Sequence, residues 1–257
     1  MSAARVWGRL AAVAVAGTSE VLAHRLGSPA GRTAARYGAA AALLGIARWA
    51  GVSWAGLGLG RSEVGSGLRT GVVAGAAAAA AVFAGAAVPG TRRLFLDQRA
   101  ADADGRGGLA TGLARITFAT VPPEELIYRS ALLGLWLAEG PQAGTGEGSQ
   151  SGAVVWSSVL FGVSHILPTL STMGHSALNQ HLVDRPLRQA AFVAGNVAAT
   201  SAAGAVFGRL RLRSGSVLAP LLAHVAVNDS ALMAGRAAHR LVPGREQTQG
   251  PLAVFTT

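Results

Sequence analysis

Two adjacent carboxylates, Glu124 and Glu125, stand in a stretch that is otherwise apolar, Thr120-Val-Pro-Pro-Glu-Glu-Leu-Ile-Tyr-Arg-Ser130. Charge in such surroundings is costly, so it needs a partner or a task. Pro122 and Pro123 suit the first turn of a helix, where a missing N–H has no intrahelical acceptor to lose. The stretch therefore predicts a helix that begins near Pro123. Glu125 and Arg129 are four residues apart with the acid first, the favourable order for a helical ion pair. Glu124 lies one residue earlier, turned about 100° around the helix. On this reading Arg129 neutralises Glu125, a supporting pair, and leaves Glu124 free. The positive end of the helix dipole favours an ionised Glu124, and burial opposes it. A carboxylate under such opposed influences is a candidate general base.

Two further segments carry inward polar groups. In Trp156-Ser-Ser-Val-Leu-Phe-Gly-Val-Ser-His165, Phe161 and His165 are four apart and share a helix face. In Leu221-Leu-Ala-His-Val-Ala-Val-Asn228, the same spacing joins His224 to Asn228. A carboxylate, two imidazoles and an amide on three helices could hold a hydrolytic water or a metal ion. The carboxylate would take the water's proton, and imidazole or amide N–H groups would stabilise the developing oxyanion. Each group alone has a plainer reading, as interhelical hydrogen bonding or dipole compensation. His24, His175, His181 and His239 fall in loops or at segment ends and take that plainer reading.

The elements that must position these groups are apolar. Hydrophobic residues make up 51% of the 257-residue chain and charged residues only 13%, about half the share usual in a soluble domain. The mean hydropathy of +0.40 agrees with a polytopic membrane protein. The formal net charge of +10 comes from arginines spread over short inter-segment stretches, as the positive-inside effect leaves them. With aromatics at 5%, no basic face with interleaved rings is in view, and nucleic acid is excluded as a partner. There is no lysine, and no cysteine to form disulfides or supply thiolates.

Apolar segments are expected over roughly 8–24, 37–52, 70–89, 108–121, 123–139, 153–169, 187–207 and 215–234. The first holds Ser19 and Glu20, is followed by further spans, and reads as retained rather than cleaved. The segment 70–89 is uncharged, long enough for a bilayer of about 30 Å, and rich in small residues that allow close helix packing. Residues 51–71 read as an interfacial loop, 92–108 as a solvated charged loop, 170–186 as a polar loop, and Arg209, Arg211 and Arg213 as the end of a span. The fold expected is an all-α polytopic transmembrane bundle of about six to eight helices, since only helices or closed barrels satisfy the backbone in lipid. The chain divides into N-terminal segments (1–107), a core (108–235) and a polar, disordered tail (236–257).

Glu-Glu-x-x-x-Arg at 124–129, Phe-x-x-x-His at 161–165 and His-x-x-x-Asn at 224–228 resemble the three signatures of the CAAX protease and bacteriocin-processing family, the ABI-type intramembrane proteases. The approach Gly215-Ser-Val-Leu-Ala-Pro220 is also similar to that family's third motif. The resemblance covers roughly 110–235. It implies an intramembrane endopeptidase of the bacterial cell membrane, acting on a membrane-associated protein or peptide in the lipid bilayer. It also implies that Glu124 activates water, that His165 positions that water or a metal, and that His224 and Asn228 serve as oxyanion donors or further ligands. It leaves open whether zinc takes part; a metal there would draw on Glu124, His165 and His224. Asp229, directly after Asn228, blurs the third motif. The alternative is a non-catalytic membrane protein, for bacteriocin immunity, scaffolding or transport, that keeps the same polar groups as structural contacts. No His-Glu-x-x-His helix is present, which argues against the site-2 zinc arrangement. Ser214 and Ser216 sit on the same segment as His224, unlike a serine–histidine pair brought from separate helices.

Overall fold

The computed structural model describes residues 3–96, 108–138, 147–173 and 185–241. Among the described residues there is no strand, and the molecule is an all-α bundle. Its helices are α1 (Ala3–Arg25), α2 (Pro29–Trp49), α3 (Val64–Ala87), α4 (a continuous helical run over 108–137), α5 (Glu147–Ser164), α6 (Ile166–Met173), α7 (Pro186–Ser214) and α8 (Leu218–Leu241). Among the described residues, four stretches are long and apolar enough to cross a membrane: Val6–Arg25, Arg61–Ala87, Gln150–Ser171 and Pro186–Ser214.

Local chemistry sets several boundaries. Ser28 caps α2 by accepting from the Gly31 N–H at 3.0 Å, with Pro29 at the first helical position. Pro186 opens α7, and Gly215 closes it with φ +70°. A Cβ at Gly215 would also sit 3.0 Å from the Glu63 carboxylate, so glycine suits the turn on both counts.

Three pairs, α1–α2, α5–α7 and α3–α8, pack around α4. The main core joins Ala12 and Ala16 of α1, Ala40, Leu43 and Ala47 of α2, Ile127, Tyr128 and Leu132 of α4, and Phe161 of α5. The α3–α8 contact is close, because Gly67, Gly71 and Gly75 line the face of α3 that meets α8. A Cβ at Gly71 would lie 3.0 Å from both the Ala219 backbone and the Leu222 side chain. With lipid tails as apolar as leucine, such close packing is what holds two membrane helices together.

Polar side chains within the spans find partners. Glu20 pairs with Arg36 at 3.7 Å, the Ser19 hydroxyl donates to the Ala16 carbonyl, and Asn196 donates to Thr169 at 2.7 Å. Arg209, Arg211 and Arg213 fall in the last turns of α7, which ends at Ser214. Of these, Arg211 turns inward: it is buried and donates to the Ala55 and Gly56 carbonyls.

Other boundaries differ from the sequence reading. The expected loop 51–71 is a set of turns only to residue 60; helical structure begins at Arg61, and Gly67 and Gly71 are packing positions. Residues 236–241 continue α8 instead of opening a tail. His175, Asn179, His181 and Asp184, the charged stretch from Asp97 to Arg106, and the tail beyond Leu241 lie outside the described residues.

Candidate active site

No new helix starts at Pro123. The prolines lie in the middle of α4, whose turns widen to a π-helix over Arg115–Thr120 and again over Leu126–Leu132. The wide turn lets the Val121 N–H reach back five residues to Ile116. Pro122 cannot donate to the Phe118 carbonyl four residues earlier, and the Tyr37 hydroxyl of α2 donates there instead. The interruption is thus satisfied by a neighbouring helix, and the chain stays helical through the two prolines.

Glu124 and Glu125 are both buried, as is Arg129. Arg129 approaches Glu125 at 3.4 Å, the ion pair that the spacing predicts. Among the described residues the guanidinium nitrogens make no hydrogen bond. The cation is held by aromatic faces: Phe161 at 4.0 Å, Phe207 at 5.3 Å and Tyr128 at 5.9 Å. Gly204 makes room for it, since a Cβ there would lie 3.2 Å from the Arg129 guanidinium and from the Phe161 ring.

Glu124 does not point away from Glu125's surroundings. Both carboxylates address one imidazole, that of His224 on α8. Its Nδ1 lies 2.8 Å from Glu125 Oε1, and its Nε2 lies 3.9 Å from Glu124 Oε2. The two nitrogens sit on different edges of the ring, so adjacent glutamates reach both. An ionised Glu125 only accepts, so Nδ1 is the donor in this contact. In neutral His224 that leaves a lone pair on Nε2, facing Glu124. His224 is also stacked on Phe207 (centroids 4.7 Å, planes 23° apart) and meets Phe161 edge-on at 5.9 Å.

His165 stands at a break in the helix. Its backbone N–H bonds Gly162 rather than Phe161, leaving the Phe161 carbonyl to the side chain: His165 Nδ1 donates to it at 2.7 Å. Pro168, three residues on, is the sequence signal for this break, because its ring clashes with a helical carbonyl four residues back. His165 contacts the Phe161 ring edge-on at 4.6 Å, so one phenyl touches both imidazoles. His165 makes no hydrogen bond to Glu124, His224 or Asn228. Asn228 is half-buried, one turn beyond His224 on α8. Asp229 faces α4, where its carboxylate accepts from Thr117 at 3.4 Å.

The structure thus gathers Glu124, Glu125, Arg129, Phe161 and His224 in direct contact. It joins His165 through Phe161 and leaves Asn228 a turn away. Phe207 was missed in the sequence; with Phe192 it is one of two aromatic residues in the Ala/Gly-rich α7, and that rarity is the only signal it gives. Beside the site runs a cleft of about 240 Å³, bounded by Val13, Gly17 and Glu20 of α1, Tyr128 of α4 and Leu160 and Val163 of α5.

A metal would need Glu124, His165 and His224 together. Each histidine has its Nδ1 held, by Glu125 or by the Phe161 carbonyl, and keeps Nε2, the nitrogen a metal would take. Among the described residues no three His, Asp or Glu side chains are gathered closely enough to hold a metal ion. As placed, the residues do not fit a metal, and the chemistry below is derived for a water.

Residues 106–229 match the family model described as Rce1-like, Type II CAAX prenyl endopeptidase Rce1-like. No curated protein and no solved structure matches the chain. All three motifs fall within the matched segment, and the match names the same family as their resemblance, so this segment is similar to the CAAX-protease family.

Proposed function

We propose that the chain is an intramembrane endopeptidase of the bacterial cell membrane, hydrolysing peptide bonds in membrane-associated proteins or peptides with a water activated by Glu124. The observation that carries this reading is the approach of Glu124 Oε2 to His224 Nε2, 3.9 Å apart and buried. With His224 neutral and its proton on Nδ1, both atoms accept, and that separation suits a molecule that donates twice, as a water does. The Rce1-like match of the surrounding segment supports a peptidase over a purely structural role.

In the reaction, Glu124 takes one proton from the water as its oxygen adds to the scissile carbonyl carbon. The carbonyl π bond opens to an oxyanion. The proton on Glu124 then passes to the amide nitrogen as the C–N bond breaks, and the carboxylate is regenerated. His224, with its proton held at Nδ1 by Glu125, receives from the water through Nε2 and orients it. This makes His224 a water-positioning group, and the oxyanion donor role falls to the Asn228 amide. His165, with Nδ1 donated to Phe161, offers Nε2 toward water or substrate. The apolar cleft beside Tyr128 suits the apolar part of a membrane-borne substrate.

The test is cleavage of a prenylated and an unprenylated membrane-anchored reporter peptide by detergent-purified protein. Glu124→Gln preserves shape and hydrogen bonding but cannot take the water's proton. It is expected to lose about 10²–10⁴-fold in rate while remaining folded. If Glu124→Gln cleaves as fast as the unmodified protein, the mechanism is wrong; if the unmodified protein cleaves neither reporter, the non-catalytic alternative gains.

A further inference from the structure

The contact between Glu125 and His224 fixes one edge of the imidazole and no more. A ring held by one hydrogen bond can still rock about its Cβ–Cγ bond, and that motion carries Nε2 away from Glu124. Something must hold the plane of the ring. The only side chain stacked on its face, among the described residues, is Phe207, with centroids 4.7 Å apart and planes 23° apart. Phe161 meets the same imidazole at 90°, so the two phenyl rings brace it in two directions.

Phe207 is itself well fixed. It is 6% exposed, and its face lies 5.3 Å from the Arg129 guanidinium, which is paired with the same Glu125. Glycines on either side let α7 come in close enough. A Cβ at Gly204 would meet Phe161 at 3.2 Å, and one at Gly208 would meet Val154 at 3.0 Å. The ring therefore arrives at His224 on a backbone pressed against α5.

We propose that Phe207 is a positioning residue that locks the plane of the His224 imidazole, keeping Nδ1–H on Glu125 and Nε2 toward Glu124. Its effect on catalysis rests on the peptidase reading; its effect on the imidazole does not. A flat face is required for this. Leucine fills a similar volume but has no face to stack, whereas tyrosine keeps the face.

The experiment uses the full chain in detergent with ¹⁵N-labelled histidine, the His224 signals being assigned by their loss in His224→Gln. The unmodified protein and Phe207→Tyr are expected to give one Nδ1–H tautomer. Phe207→Leu is expected to give exchange-broadened or mixed tautomers. In the cleavage assay, Phe207→Leu should lower kcat by about 10- to 10²-fold with KM nearly unchanged, and Phe207→Tyr should restore most of it. An unaltered His224 spectrum in Phe207→Leu overturns the proposal. So does an equal loss in Phe207→Leu and Phe207→Tyr that tracks a fall in melting temperature, since that is packing alone. If the His224 spectrum depends on the Phe207 ring but Glu124→Gln cleaves normally, the imidazole lock stands and the peptidase mechanism falls.

Discussion

His224 and Glu125 are joined by a 2.8 Å contact between Nδ1 and Oε1, across 99 residues of sequence, and the same oxygen faces Arg129 at 3.4 Å. One carboxylate thus serves as the anion of a buried ion pair and as the orienting partner of an imidazole. The pair and the imidazole cannot be perturbed separately.

That coupling gives the first prediction. Arg129→Ala leaves Glu125 as an uncompensated buried charge, a change that costs on the order of 3–5 kcal/mol. Glu125→Gln leaves the Arg129 cation in the same position and should cost a comparable amount. The double change Glu125→Gln with Arg129→Ala removes both charges, so its loss of stability should be well short of the sum of the single losses. It should still impair cleavage, because His224 loses its anionic partner. Thermal unfolding of the four proteins in detergent measures this cycle. Strictly additive losses would mean that the two side chains do not interact.

A second prediction concerns the helix that carries His224. Gly71 lets α3 touch the α8 backbone at Ala219, about one turn before His224. Gly71→Val should force the helices apart, at a cost of about 1–3 kcal/mol, and move His224 with α8. Both melting temperature and cleavage rate should drop. On the same helix, a Cβ added at Gly65 would have nothing within 4 Å, so Gly65→Ala should leave both unchanged or raise stability slightly. Equal behaviour of the two variants would show that the close approach is unimportant.

Much of this was legible in the sequence because it rests on local spacing. The all-α bundle follows from apolar segment length, and the Glu125–Arg129 pair from a four-residue step. What was not legible depends on where separate helices meet. The sequence turns Glu124 away from Glu125 around one helix, and only the position of α8 shows that both address His224. The Pro122–Pro123 pair reads as a helix start because the rule for prolines is local. Tyr37, far off in sequence, supplies the missing donor and lets the helix continue. Phe207 was hidden for the same reason: an aromatic residue in a small-residue span gives no sign of which side chain it stacks on.

The geometry also ranks the site residues, which is the third prediction. His224 contacts both glutamates, whereas His165 reaches the cluster only through the Phe161 ring. His224→Ala should therefore approach the severity of Glu124→Gln. Loss of His165 should be milder than loss of His224, and Asn228→Ala, if it removes one oxyanion donor, should cost up to about 10²–10³-fold. Measured kcat/KM for the four variants on one reporter tests the order. A His165 variant as inactive as Glu124→Gln would put His165 in direct contact with the reacting water.

The last prediction follows from the separation of the three groups a metal would need. For zinc to bind, Glu124, His165 and His224 would have to converge, as protein metal sites generally need three or four ligands at about 2.0–2.2 Å. Among the described residues no three such side chains are gathered, and His165 reaches the others only through the Phe161 ring. Cleavage should therefore survive prolonged treatment with a strong chelator, and the purified protein should carry no stoichiometric zinc by elemental analysis. The unfolding temperature should likewise be unchanged by chelation, since a bound metal would stabilise the native state by mass action. Loss of activity on chelation, restored by added zinc and absent in His165→Ala, would require His165 to bring its Nε2 beside Glu124 and His224 around the ion.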